Sequence, residues 1–240
     1  MRSFIHNAVS YFVERAEAHF STPIHNLRDA MVSGYSCPLT NGQQELWQDS
    51  CDRRRVGILY ADIADYSRLT EQDEEGTHRR LVESMKIIEA YVTANNGRVA
   101  HTAGDAILVE FKGIDSALRC AVNVQLAARD MNAQLPLNQQ VLFRIGVNFG
   151  DLIADNGDIY GNAVNLAARL EKLAKIGGIC VSESVRSELE DNSAFKFVAL
   201  GKQYVKNISE PVQVFWIEFD AHQVIDTDFT RSLKVSVITS

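Results

Sequence analysis

The chain has 240 residues, with 24 Lys and Arg against 31 Asp and Glu and a formal net charge of −7, a length that suits one generous domain or one domain with an appendage. Hydrophobic residues at 46% and charged residues at 23% match soluble globular proteins and disfavour disordered, collagen-like and coiled-coil readings. The acidic balance argues against a protein that wraps duplex nucleic acid by neutralising phosphates, although it allows a phosphate-bearing substrate held through metal ions. The surplus is uneven: residues 1–55 hold six basic and six acidic side chains, so the whole net charge lies from Val56 onward. Cys37, Cys51, Cys120 and Cys180 form no CxxC pair, which disfavours a disulfide framework or a zinc site. No apolar stretch approaches the ~18 residues of a membrane span, and a cytoplasmic location with no integral membrane segment is the expectation.

Phe4, Ile5, Ala8, Val9, Phe12, Val13 and Ala16 recur at helical spacing and predict an amphipathic helix from Ser3 to about His19. Ser21, Thr22 and Pro23 read as a second helix start with Gly34 as its stop, and Ser36 to Asp52 reads as a linker. The first helix lacks the Lys and Arg density that anionic lipid favours. A helical hairpin packing on the main domain or on a partner subunit is expected, and through it contact with a regulatory partner.

Strand and helix signals then alternate. Val56 to Ile63 is an apolar run of strand length, the mark of a strand buried on both faces. Glu74 to Asn95 has helical periodicity and stops at Asn96-Gly97. Arg98 to His101 and Ala106 to Phe111 are short strands joined by Thr102-Ala103-Gly104-Asp105 in a hairpin. Gly113 to Ala133 is a long helix; Val141 to Phe149 is a strand, expected to turn at Gly150-Asp151 and return over Leu152 to Ala154. Asn162 to Lys175 is a helix closed by Gly177-Gly178, Val181 opens a short strand-to-helix step, and Phe195 to Leu200 and Val212 to Phe219 are the last strands. The core order is βαββαβ, an α+β plan of the ferredoxin-like kind with additions, in which helices are expected on one face of a mainly antiparallel sheet. This divides the chain into an N-terminal helical appendage and linker over 1–52, a main domain over 53–220, and a tail over 221–240.

Two aspartates stand at structural punctuation points. Asp62 closes the first strand and Asp105 sits at the hairpin tip after Gly104, so both carboxylates can converge at one end of the sheet. Such a pair suits Mg²⁺ together with substrate phosphates; as readily, Asp62 caps the next segment and Asp105 shapes a Gly-Asp turn. In the segment DIYGNAVNLAAR, Asn165 and Arg169 lie four apart on the expected helix and share a face. An amide and a guanidinium there suit a ribose and a phosphate, while solvated surface residues of this kind are common.

Read together, VGILYADIADYSRLTE, GRVAHTAGDAILVEF, FRIGVNFGDLIADNGDIYGNAVNLAARLE and LGKQYVKNISEPVQVFWI resemble, in order and spacing, the catalytic domain of class III nucleotidyl cyclases over about Arg54 to Phe219. The soluble bacterial members are the most similar in flavour. The resemblance implies that Asp62 and Asp105 bind two divalent metals, Mg²⁺ or Mn²⁺, with the Ile63 carbonyl as a further ligand. It implies that the turn of Ala64, Asp65, Tyr66 and Ser67 holds the terminal phosphates through backbone amides, and that Asn165 positions the ribose. Arg169 then stabilises the pentavalent phosphorus, Lys206 grips the triphosphate and Asp158 reads the base. One position departs: where adenine readers of the family usually carry a lysine, four residues before the second metal aspartate, this chain has His101. A neutral imidazole can still donate to adenine N1, so ATP is favoured over GTP; the alternative is that His101 packs at its strand end and base selection is loose.

The implied reaction is attack of the ribose 3′-hydroxyl on the α-phosphorus, giving 3′,5′-cyclic AMP and pyrophosphate. In the family the metal aspartates come from one subunit and the Asn/Arg helix from the other, which implies a homodimer with two shared sites. A guanylate or relaxed-specificity cyclase, or a non-catalytic nucleotide-binding signalling module, is the alternative. A diguanylate cyclase would carry GGDEF or a close variant at the hairpin, and Ala103-Gly104-Asp105-Ala106 is not one.

Overall fold

In the computed structural model the described residues are 52–155, 157–189, 195–206, 208 and 210–219. The helices expected over Ser3 to Gly34, Cys37, Cys51 and the tail from Ala221 lie outside them.

The described residues begin with β1 (Asp52–Ile63), followed by α1 (Tyr66–Gln72), α2 (Glu74–Ala94), β2 (Gly97–Ala103), β3 (Ala106–Phe111) and α3 (Ile114–Asn132). After a short 3-10 turn come β4 (Phe143–Asp155), β5 (Asp158–Tyr160), α4 (Asn162–Leu173), β6 (Ile179–Ser182), α5 (Glu183–Glu188), β7 (Lys196–Gln203) and β8 (Val212–Glu218). They build one sheet in the order β2-β3-β1-β4-β6-β8-β7, with β5 paired to β4. Among the described pairings only β4 with β6 is parallel. The βαββαβ core is therefore as expected, widened by a C-terminal hairpin.

Two expectations are corrected. Gly150-Asp151 is not a turn: β4 runs unbroken to Asp155, pairing with β1 down to Asp52↔Ala154, and the chain reverses only between Asp155 and Asp158. Nor are the helices confined to one face. Leu59, Ala61 and Ile63 point into the core formed with α2 and α3, whereas Val56 and Ile58 pack with Ala167, Ala163 and Val164 of α4 on the opposite face. Strand alternation puts Tyr60 and Asp62 on the α4 side as well. Such coverage explains why the second half of β1 reads as a continuous apolar run.

The α4 helix can lie against β4 because of the sequence Gly146-Val147-Asn148-Phe149-Gly150, whose alternate members face it. A Cβ on Gly146 would stand 2.1 Å from the Ala167 carbonyl oxygen and 2.3 Å from the Glu171 nitrogen, both backbone atoms. The buried Asn148 amide donates to the Ala163 carbonyl at 2.9 Å, and its oxygen accepts from Ser182 Oγ at 2.6 Å. At the other end Trp216 Nε1 donates to the Leu173 carbonyl at 3.2 Å, with Lys175 Nζ 3.7 Å from the indole ring centre. Gly146→Ala is expected to lift α4 off the sheet and to lower stability by about 3 kcal/mol, a fall of about 10 °C in Tm measurable by circular dichroism. An unchanged Tm would mean that this contact relaxes at no cost.

Candidate active site

Asp62 is the penultimate residue of β1, and Asp105 sits in the two-residue turn between β2 and β3, where Gly104 takes φ +64°. The left-handed turn is open to glycine without steric penalty, and it brings Asp105 alongside β1. Burial first, then the Asp62 charge and a hydrogen bond to Asp62, push the Asp105 carboxyl up to about 7. Tyr60, one step behind Asp62 on the same face, is pushed up to about 12 by burial and by the same carboxylates. The described β1–β3 ladder ends at Ala61↔Ile107, and continuing its register sets Ile63 beside Asp105. The three residues expected to meet a metal are thus neighbours.

A third acid was missed by sequence reasoning. Glu171, on the inward face of α4, is 1% exposed, and its Oε2 has no hydrogen-bond partner among the described residues. Burial, then the Asp62 charge, push its carboxyl up to about 7, against a smaller opposing pull from Lys172 and Arg144. The only sequence signal was its place, four residues after Ala167 on the apolar side of the helix. Two converging hard-oxygen donors with a third carboxylate behind them, one already raised by its neighbour's charge, fit a divalent cation: a double positive charge would relieve the repulsion. Among the described residues no group of three or more His, Cys, Asp or Glu has metal-holding geometry, so further ligands would have to come from the Ile63 carbonyl, water or substrate oxygens.

Asp65 adopts φ 57° and ψ 32° and precedes α1, leaving the first amides of that helix without intrahelical partners. Ala64 is a correction: its N–H donates to the Leu142 carbonyl at 2.8 Å, because β1 and β4 pair one residue further than the strand itself. That amide is committed, which leaves Asp65, Tyr66 and Ser67 of the four positions expected to meet phosphate.

Asn165 is exposed on α4, and Arg169 folds back so that Nη1 donates to the Asn165 carbonyl at 2.7 Å. The two share one helix face, as their spacing requires. Ala167, Leu170 and Glu171 occupy the buried one. Lys206 is exposed in the β7–β8 connection and makes no ion pair among the described residues.

His101 and Asp158 are brought together by a feature the sequence did not reveal. The β2–β3 register runs Arg98↔Glu110, Val99↔Val109, then His101↔Leu108, so Ala100 is an extra residue in a bulge. Without it His101 would share the Val99 face; with it His101 turns to the side of Arg98 and Leu108. There His101 Nδ1 lies 3.7 Å from Asp158 Oδ2. Asp158 Oδ1 accepts from the Ile159 amide at 2.8 Å, which orients the carboxylate.

A family model described as the adenylate and guanylate cyclase catalytic domain matches residues 49–219. The chain belongs to that family. Among its relatives is a Rhizobium meliloti (strain 1021) protein provisionally named adenylate cyclase 3, 38% identical over 70% of this chain and 29% of that protein. An adenylate cyclase of Streptomyces coelicolor is 31% identical over 57% of this chain and 34% of its own length. The chain spans about a third of the length of these curated relatives. A crystal structure from Silicibacter pomeroyi, described as an adenylate/guanylate cyclase/hydrolase, aligns with a TM-score of 0.63 at 39% identity, over 71% of this chain and 99% of that one. The adenylyl cyclase CyaB of Pseudomonas aeruginosa shares the fold with a TM-score of 0.64 at 21% identity, over 73% of this chain and 99% of that one. Among the described residues no helix is long and apolar enough to cross a membrane.

Proposed function

We propose that this cyclase-family chain converts ATP to 3′,5′-cyclic AMP and pyrophosphate at sites shared across a homodimer. The observation that carries the reading is the convergence of Asp62 and Asp105, with the Asp105 carboxyl raised by burial and by the Asp62 charge, on a fold whose helix α4 presents Asn165 and Arg169 outward. Asp62, Asp105 and the Ile63 carbonyl would hold two divalent ions, Mg²⁺ or Mn²⁺, which when bound lower the pKa of the attacking 3′-hydroxyl and offset phosphate charge. Asn165 orients the ribose, so that the hydroxyl lies in line with the α-phosphorus and the attack becomes effectively unimolecular. Arg169 leaves its resting bond to the Asn165 carbonyl and spreads its fork over the equatorial oxygens, where charge grows in the transition state. Lys206 and the amides of Asp65, Tyr66 and Ser67 hold the departing pyrophosphate.

The geometry of α4 supports the dimer that the family resemblance implies. One face of α4 is buried against the strand that carries Asp62, and Asn165 and Arg169 stand on the other. A substrate gripped by both sets is most simply reached by pairing the aspartates of one subunit with the α4 of its partner. The 53–220 domain supplies both halves, and residues 1–52 would act as a clamp or input element on the dimer.

Base choice rests on Asp158, which can accept from the adenine 6-amino group and repels the guanine O6. At 3.7 Å, His101 and Asp158 do not consume one another's hydrogen-bonding capacity, and Asp158 Oδ2, which accepts a long 3.4 Å bond from the Tyr160 hydroxyl, keeps a second lone pair for a base. A second reading, relaxed ATP/GTP specificity, is favoured by the half-exposed His101 ring: no described hydrogen bond fixes which nitrogen carries the proton, so it can donate to adenine N1 or accept from guanine N1–H. Product analysis of the protein with Mg²⁺ or Mn²⁺ and either nucleotide separates the two, with cyclic AMP the expected main product. His101→Lys, a fixed donor, is expected to raise the ATP:GTP ratio of kcat/KM by about tenfold; a ratio that stays level or falls would remove His101 from base recognition.

A further inference from the structure

We infer that Arg98, through an ion-paired chain with Glu110 and Arg54, is the positioning residue that sets the spacing of the His101–Asp158 pair and so the protein's discrimination between bases; this rests on the reading of those two residues as base contacts. Glu110 lies on β3, between β2 and β1, and is 8% exposed, an acid buried in a sheet face. Its carboxylate is fully engaged: Arg54 Nη2 from β1 donates to Oε1 at 2.8 Å and to Oε2 at 3.0 Å, and Arg98 Nε from β2 donates to Oε1 at 2.6 Å. Arg98 is the cross-strand partner of Glu110, so its stem is fixed by the ladder as well as by charge.

The other end of the same guanidinium leaves the sheet. Arg98 Nη1 donates to the carbonyl of Gly157, the residue before Asp158 and part of the turn joining β4 to β5. β5 is only three residues long and pairs by ladder hydrogen bonds with β4 alone, so the Arg98 bond to Gly157 ties its turn directly to the strand that carries His101. Gly157 itself takes φ +84° and has open space where a Cβ would be, so no neighbour packs against the turn on that side. Arg98 therefore joins the two strands that carry the base-reading side chains. His101 is three residues from Arg98, beyond the bulge that turns it to this face, and Asp158 is one residue from the bonded carbonyl. A planar fork serves here where a point charge would not, because it donates to Glu110 with one nitrogen and to Gly157 with another. Losing the second bond frees the turn by an ångström or so, enough to loosen recognition that depends on hydrogen-bond reach.

The test is equilibrium binding of N-methylanthraniloyl ATP and GTP to the full chain in Mg²⁺ buffer, a readout independent of turnover, with melting curves alongside. Arg98→Ala is expected to narrow the ratio of the two affinities about tenfold. Arg98→Lys keeps charge opposite Glu110 and can be expected to keep the fold, but it cannot span both acceptors and is expected to narrow the ratio to a similar degree with an unchanged Tm. Asp158→Ala should narrow the ratio at least as far. If Arg98→Lys binds both analogues with the parent ratio while Asp158→Ala does not, the positioning role is overturned and the base reading survives. If Asp158→Ala also leaves the ratio unchanged, the base reading falls, and the positioning role with it. An equal loss of both affinities in the Arg98 variants, with a lowered Tm, would reduce the chain to a structural brace and also overturn the inference.

Discussion

Asp62→Asn is expected to cut cyclic nucleotide formation by about a thousandfold and, in metal-free buffer, to make the protein more stable rather than less. The two effects have one cause. Asp62 and Asp105 are held close enough that the Asp105 carboxyl rises from 3.8 to about 7, through burial and the Asp62 charge, and Asp62 also helps to raise Glu171. A carboxyl whose pKa is raised by folding binds its proton more tightly in the folded chain. Its contribution therefore favours the folded state at low pH and is lost as pH climbs from about 4 to about 7. The gain in Tm of Asp62→Asn over the parent should be small at pH 5 and full at pH 8, measured by thermal denaturation in EDTA. Adding Mn²⁺ should reverse the order, stabilising the parent by about 2.7 kcal/mol at a hundred times Kd and the variant much less. A variant less stable than the parent at pH 8 in EDTA would mean that the pair is a structural hydrogen bond and not a cation site kept under repulsion.

Chemistry and topology were legible in the sequence to different depths. Asp62 and Asp105 could be paired because each sits where a periodic run stops, and strand order in a βαββ plan then forces their proximity. Asn165 and Arg169 share a helix face by arithmetic. What escaped had no local signature. The bulge at Ala100 depends on how β2 meets β3 and leaves GRVAHTA reading as ordinary alternation. β4 was expected to break at Gly150 because glycine before aspartate is a turn signal; here Gly150, like Gly146, is small so that α4 can pass close to the strand. The same close pass explains the helix on the second sheet face. Glu171 escaped for a related reason: on an amphipathic helix an acid next to buried positions reads as a boundary residue, and only packing shows it to be inside.

Mixing complementary variants should restore activity that neither has alone. Asp62→Ala removes one of the two carboxylates proposed to hold the cations, and Arg169→Ala removes the guanidinium from the outward face of α4. In a homodimer with sites between subunits, every Asp62→Ala dimer and every Arg169→Ala dimer has two broken sites. A mixed dimer places both lesions in one site and leaves the other whole. With random exchange half of the dimers are mixed and carry one intact site of two, so recovery should approach about a quarter of parental activity. Gly146→Ala, by displacing α4, should behave in such mixtures as an Arg169-side lesion and be rescued by Arg169-intact partners such as Asp62→Ala.

The mixture of Asp62→Ala and Arg169→Ala chains, denatured and refolded together and assayed for cyclic AMP from ATP with Mn²⁺, is the most direct measurement of whether one chain's aspartates work with its partner's helix. The shared-site arrangement predicts near-silent single variants and about a quarter of parental product in the mixture. Folded, dimeric mixtures that stay as silent as their components would contradict it.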